Sequence, residues 1–464
     1  MAHFFDLPNE LILSIHDYLL PSDLACFYCL NKHIYALTAL HQVDHRRLKR
    51  KFAIPLSTGT LGSTAVLVRN ILRYPRAGLY VREWKIDFYR SGGWGKENDD
   101  DPEDTNHIMY PEADMILFED AIRQSSFIPG LDKVEWVASM RNGAENVLIA
   151  LAVTLLPNLR AIEIGRGWEY QGRLASVLES IGYSRPSQHT PFSSLATITI
   201  QPGEEGDSIG LAAVEAFATQ PSVKTLNIHG IYAENDDLEL VKPLKGANVT
   251  DVNISDSEIS PQRLSLLLDN FENLQSFSYL HRDDKFVDCE FEPFLIVKAL
   301  LSCGRDTLRE LNLCHGYFVT GTYMGSLCKF SALESVETNF SLFVGSSAHA
   351  IDATKLFTTA FPRSLQKIKL VAVCRQNYQY TAMLEGLVRV KTDSIPYLCR
   401  VEFVNSQLQA HEERTWRAQC ESVGVSLIIT HQHPVVLPTF TTRRTHYAER
   451  EMSSMSITDT GRRE

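Results

Sequence analysis

The chain has 464 residues, 44% of them hydrophobic and 22% charged, with a formal net charge of −11. That is the composition of an ordinary folded protein with room for about three domains, and its acidity argues against bulk capture of nucleic acid or an anionic membrane. The longest apolar run, "VLIALAVTLLP" from Val147, is shorter than the ~18 to 20 residues a membrane helix needs.

The N-terminal stretch "FFDLPNELILSIHDYLLPSDLACFYCLNKHIYAL" interleaves acidic residues with apolar ones, unlike a secretory leader. Leu7 and Pro8 are expected to start a helix that sets Leu11, Ile12, Ile15, Tyr18 and Leu19 on one face. "LPSD" breaks it, and Ser22 or Asp23 is expected to cap a second helix carrying Leu24, Phe27, Tyr28 and Leu30. A third apolar set follows at Ile34, Leu37 and Leu40. Helices this short cannot build a large core alone and call for a partner surface.

Cys26 and Cys29, followed by His33, have the spacing of half a zinc site. No second thiolate pair stands nearby, so they read as core cysteines of a helix. The nine cysteines are scattered, as suits a reducing compartment, and cytoplasm or nucleus is the expected location. "HRRLKRKF" from His45 suits the negative end of a helix, with a nuclear-import or nucleic-acid patch as the sharper alternative.

Leu7, Pro8, Glu10, Leu11, Ile15, Tyr18, Leu19, Asp23 and Leu24 stand in the order and spacing of an F-box, which residues 4–48 resemble. The later "CLNKHIY" lacks the tryptophan of that family's third helix. The resemblance implies docking of these nine residues on a Skp-type adaptor of a cullin-RING ubiquitin ligase. The competing reading is a helical cap over the open end of the repeats that follow.

Residues 49–80, with the helical "TAVLVRNILRYP", read as a linker. From Val81 one hexad recurs, two apolar residues at the close of an apolar-x-x-apolar-x-apolar pattern. It reads "VREWKI" (81), "LDKVEW" (131), "LRAIEI" (159), "LATITI" (195), "VKTLNI" (223), "VTDVNI" (249), "LQSFSY" (274), "LRELNL" (308), "LESVET" (333), "LQKIKL" (365) and "LCRVEF" (398). Each predicts a short strand, and starts 25 to 36 residues apart from Leu131 onward leave room for one helix per repeat. Stacked units of this kind bury a shared core.

Residues 81–430 therefore resemble the leucine-rich-repeat family, which implies an α/β solenoid, a horseshoe of parallel strands with helices outside. The family's Asn or Cys after the last apolar position is missing. A doubly wound α/β sheet is the alternative.

The expected outward row on the concave sheet is Lys85, Glu135, Glu163, Thr199, Asn227, Asn253, Ser278, Asn312, Glu337, Lys369 and Glu402. Of these, Glu163 to Lys369 on the repeat strands are the candidate substrate-binding residues. A polar row of mixed sign suits a protein or peptide ligand.

Catalytic motifs are only approached. "GYFVTGTY" has Thr322 where a phosphate loop needs lysine, "GRGWEY" has Tyr170 for its third glycine, and "HEERT" at His411 lacks a second histidine. No catalytic residue, cofactor, metal, membrane or nucleic-acid partner is expected. The acidic insertion at 96–106 reads as a solvated loop, and 431–464 as a disordered tail. Together the two resemblances are closest to fungal F-box proteins with divergent leucine-rich repeats. They imply a non-catalytic substrate receptor of a ubiquitin ligase; the alternative is a repeat scaffold acting outside one.

Overall fold

The computed structural model describes residues 7–58, 62–86, 110–130, 132–165, 172–182, 191–201, 214, 217–218, 220–233, 247–281, 291–315, 323–344, 357–371, 377–404 and 408–430. The acidic insertion, the C-terminal tail and the Gly316 to Thr322 and Tyr170 lookalikes lie outside them.

Four helices come first: α1 (Asn9–Tyr18), α2 (Pro21–Tyr28), α3 (Lys32–Leu37) and α4 (Ala39–Lys51). Pro8 ends up just ahead of α1, and α2 begins at Pro21. Ser22 and Asp23 therefore lie in the first turn of α2, and neither caps it as expected. A proline at the first helical position has no amide to leave unsatisfied. Asn31 caps α3 by accepting the Ile34 amide at 2.7 Å. The basic run closes α4, with Lys49, Arg50 and Lys51 in its last turn, where positive charge complements the helix dipole.

Among the described residues, twelve strands then form one sheet whose order follows the chain, β1 to β5 and then β7 to β13, every pair parallel. They are β1 (Leu56–Ser57), β2 (Glu83–Ile86), β3 (Ala161–Ile164), β4 (Thr197–Ile200), β5 (Thr225–His229), β7 (Asp251–Ile259) and β8 (Ser276–His281). The series ends with β9 (Glu310–His315), β10 (Ser335–Asn339), β11 (Lys367–Val371), β12 (Arg400–Val404) and β13 (Ser426–Thr430). The short β6 (Tyr232–Ala233) pairs with β7 aside from this path.

Between strands run α5 (Ser63–Arg73), α6 (Glu112–Gln124), α7 (Lys133–Arg141), α8 (Glu145–Thr154), α9 (Gly172–Gly182), α10 (Pro261–Leu268) and α11 (Pro293–Cys303). Then come α12 (Phe340–Val344), α13 (Asn377–Ser394) and α14 (Ala410–Ser422). The chain is thus α/β with a parallel sheet. The apolar run from Val147 lies in α8, where Val147 to Val153 are all buried against α5, α6, α7 and α9.

Ten of the eleven hexads are strands, and their paired apolar residues, such as Ile198 with Ile200 and Phe277 with Tyr279, are buried. The exception is "LDKVEW". It enters α7, where Trp136 and Met140, four residues apart, are buried while Val134 is 80% exposed. Its three apolar residues satisfy helical and strand spacing alike, and Met140 decides for the helix. Glu135 therefore leaves the expected row and pairs with Arg173 at 3.2 Å.

Two flanking strands escaped the hexad pattern. Just after β1 the next inward position is Thr58, buried and accepting the Trp84 indole N–H at 3.1 Å. Ahead of β13 the first apolar position of the repeat is taken by Gly424, held at φ +77°, a conformation suited to glycine.

Successive repeats are also tied by the residue just before five of the hexads. Asn158 donates to Leu79 O at 2.8 Å, Ser222 to Phe192 O at 2.6 Å and Asn248 to Pro221 O at 2.9 Å. Thr307 donates to Leu274 O and Ser364 to Leu333 O, both at 2.8 Å. These bonds satisfy backbone carbonyls that open at the amino edge of the sheet.

The apolar interior falls into two clusters. The large one runs from Ala65 to Ile429 between helices and sheet. A small one holds Ile12, Leu24, Phe27, Tyr28 and Ile34, with Leu7, Ile15, Leu19 and Leu37 packed against it. Helices α1 to α3 thus have a core of their own.

Candidate functional site

The sheet presents one row across all twelve strands: Ser57, Lys85, Glu163, Thr199, Asn227, Asn253, Ser278, Asn312, Glu337, Lys369, Glu402 and Ile428 are neighbours in unbroken register. All eight candidate substrate-binding residues lie in it. Because strand side chains alternate, the buried apolar pairs force these residues to the opposite face, where every one is at least partly exposed.

The row divides by charge. Lys85 and Glu163 pair at 2.7 Å at one end, and Lys369 and Glu337 at 2.7 Å towards the other, where Arg400 meets Glu402 at 2.9 Å. The hydrogen bond that Lys369 donates to Glu337 holds its ammonium above the ordinary lysine pKa. Between the ion pairs lie Thr199, Asn227, Asn253, Ser278 and Asn312, spanning about 19 Å at the usual strand spacing. Asn227 donates to Thr199 Oγ1 at 3.3 Å. Hydroxyls and amides both donate and accept, so this stretch can bond an extended polypeptide without choosing a charge.

Cys314, beside the row, donates to Asn312 Oδ1 at 3.2 Å. Burial pushes its thiol up to about 12, so it is not a nucleophile near neutral pH. At the carboxyl ends of β8 and β9 lie His281 and His315, both buried, with ring centroids 5.1 Å apart. Tyr279 Oη is 2.9 Å from His281 Nδ1. Burial, then the charge of His315, lowers the His281 pKa to about 3. The sequence reading passed over this cluster because the histidines occupy strand positions two beyond the hexad and form no local motif.

The second surface is on the N-terminal helices. Of the seventeen large apolar side chains exposed among the described residues, eight lie between Leu11 and Ile54, including Leu11 at 50%, Tyr18 at 87% and Leu40 at 83%. Leu11 and Tyr18, seven residues apart, share one face of α1. Of the other residues singled out by the F-box resemblance, Pro8, Glu10 and Asp23 are exposed, and Leu7, Ile15 and Leu19 are half-buried on the small core. Leu24 is wholly inside it.

Cys26 and Cys29, expected in the core, are exposed. In α2 the positions Leu24, Phe27 and Tyr28 take the inward face, which turns both cysteines outward. His33 lies at the surface with Nε2 2.8 Å from Asn9 Oδ1.

Polar contacts join the N-terminal helices to the turn that leads into β2. Arg76 donates to His16 O and Asp17 O at 3.0 Å each and to Leu19 O at 3.4 Å. His45 Nδ1 lies 2.8 Å from Tyr80 Oη. Burial, then Tyr80, pushes the Tyr28 hydroxyl up to about 12, and burial lowers the His16 and His45 imidazoles. A cavity of about 430 Å³, with Pro21, Ser22, His45, Lys49, Tyr80 and Arg82 in its lining, opens beside this joint.

Among the described residues no helix is long and apolar enough to cross a membrane. No family model matches the chain, and no curated protein matches it.

Proposed function

We propose that the chain is the substrate-recognition subunit of a cullin-RING ubiquitin ligase, with α1 to α3 as an F-box docked on a Skp-type adaptor. In this reading the strands from β2 onward are leucine-rich-repeat-like turns of a solenoid whose open face holds a protein substrate. The chain itself performs no chemistry. It positions a target's lysines near a charged conjugating enzyme, raising their effective concentration.

The observation that carries the reading is the separate small core of α1 to α3, whose outer surface keeps large apolar side chains such as Leu11 and Tyr18 in solvent. Large apolar side chains left exposed on so small an element suit an interaction site. The polar row on the sheet, uncharged for five strands, supports an extended polypeptide as the ligand.

One observation favours a share of the capping role for the next segment. After α4, β1 lines the first edge of the sheet, with Ser57 opposite Lys85. That strand protects the edge, which leaves α1 to α3 available for docking. Co-expression with a Skp-type adaptor separates the readings. The full chain is expected to bring the adaptor down, and a chain lacking residues 1–37 to lose it while keeping its sheet by circular dichroism. Loss of the folded sheet on that deletion would make α1 to α3 a cap and remove the ligase assignment.

A further inference from the structure

We infer that His16, Asp17 and His41 form a binding site for a borderline divalent transition metal, of which zinc is the type, at the junction of α1 and α4. The ligand atoms these three side chains offer all lie within 4.8 Å of one another. His16 Nδ1 and Asp17 Oδ1 are 3.1 Å apart, close to the ~3.3 Å between two ligands on one tetrahedral zinc. The His16 and His41 ring centroids are 4.5 Å apart. His41 has no hydrogen bond or ion pair among the described residues, so its ring nitrogens have no protein partner to give up.

The surroundings supply what an imidazole ligand needs. His16 is 2% exposed, and its Nε2 lies 3.0 Å from Tyr28 Oη. With the ring proton on Nε2, that nitrogen donates to the phenol oxygen and the Nδ1 lone pair faces Asp17, an outer hydrogen bond of the kind that fixes a ligating histidine. Without metal, a proton on Nδ1 bridges to Asp17 and Tyr28 donates to Nε2. Metal binding therefore switches the tautomer of His16 with no net proton lost from that ring.

Two imidazoles and one carboxylate are a donor set for zinc or cobalt rather than for calcium or magnesium. The fourth position is left to water. Arg76 stands 3.7 Å from Asp17 Oδ1 and opposes a dication, but its guanidinium is already engaged by three backbone carbonyls. A bound ion would pin the end of α1 to the start of α4.

The test is Co(II) titration of the untagged full chain, read by visible absorption and by displacement with Zn(II). The expected result is a tetrahedral Co(II) spectrum saturating at about one equivalent, lost in His41→Ala and weakened at least tenfold in the near-isosteric Asp17→Asn, with both variants folded by circular dichroism. A Cys26→Ser/Cys29→Ser chain should keep the spectrum. No saturable binding, binding that survives His41→Ala, or a thiolate-to-metal charge-transfer band that disappears with the two cysteines would each overturn the inference.

Discussion

His281 makes the middle of the sheet acid-sensitive. It is 4% exposed, its Nδ1 meets Tyr279 Oη, and its ring stacks on Phe291 with centroids 4.8 Å apart. Its folded pKa of about 3 lies below the ordinary 6.5 because burial and His315 disfavour its charged form. The unfolded chain takes up this proton as pH falls through 6.5, and the folded chain does not until about pH 3. Stability attributable to His281 is therefore intact above pH 6.5 and lost progressively below it, until both states are protonated. Between pH 7.5 and pH 5.0 the loss from this one group is about 2 kcal/mol.

His281→Gln keeps a polar partner for Tyr279 and removes the titration. Urea unfolding at the two pH values, with hydrogen exchange of the Ser276–His281 amides as a local probe, should show wild type losing about 2 kcal/mol more than the variant on acidification. Equal pH dependence in the two proteins would refute a buried neutral imidazole at this position.

Further expectations concern packing. At Gly78 an added Cβ would meet the Leu155 carbonyl oxygen at 2.5 Å, a backbone atom that cannot swing aside. Gly78→Ala should lower the thermal midpoint, by at least about 1 kcal/mol in stability; an unchanged midpoint would mean that the turn before β2 is looser than this contact implies. Phe403, wholly buried on β12, should cost about 3 to 5 kcal/mol when cut to alanine. Asn227→Ala on the open face should cost within about 0.5 kcal/mol. Differential scanning calorimetry of the pair checks which face is the core, and a reversed order would invert the sheet.

The register of the sheet was legible because its apolar pairs repeat with a period of two, and a one-residue slip would turn every pair outward. Hence Glu163 through Lys369 fall in one row as the hexads imply. "LDKVEW" misled because an apolar-x-x-apolar step serves a helix as well as a strand, and only Met140, beyond the hexad, distinguishes them. Strand β13 was missed because a left-handed Gly424 takes an apolar position. Strand β1 was missed because Thr58 is buried through its hydrogen bond to Trp84 rather than by being apolar.

The N-terminal helices show the opposite limit. Their pattern gives helices, but helical spacing alone does not say that Ile12 turns inward and Leu11 outward; the packing of α2 and α3 decides it. The clusters of His16 with His41 and of His281 with His315 arise only once distant segments meet. No local signal announces them.

The most direct measurement is the affinity of the purified full chain for a Skp-type adaptor, by calorimetry, beside a Leu11→Ala/Tyr18→Ala chain. Both side chains are exposed, at 50% and 87%, so removing them should leave the fold unchanged. The account predicts one-to-one binding that weakens by well over tenfold in the double variant, since anchor residues at such interfaces are worth about 2 kcal/mol each. Absence of binding by the wild type, or equal affinity in the two chains, would contradict it.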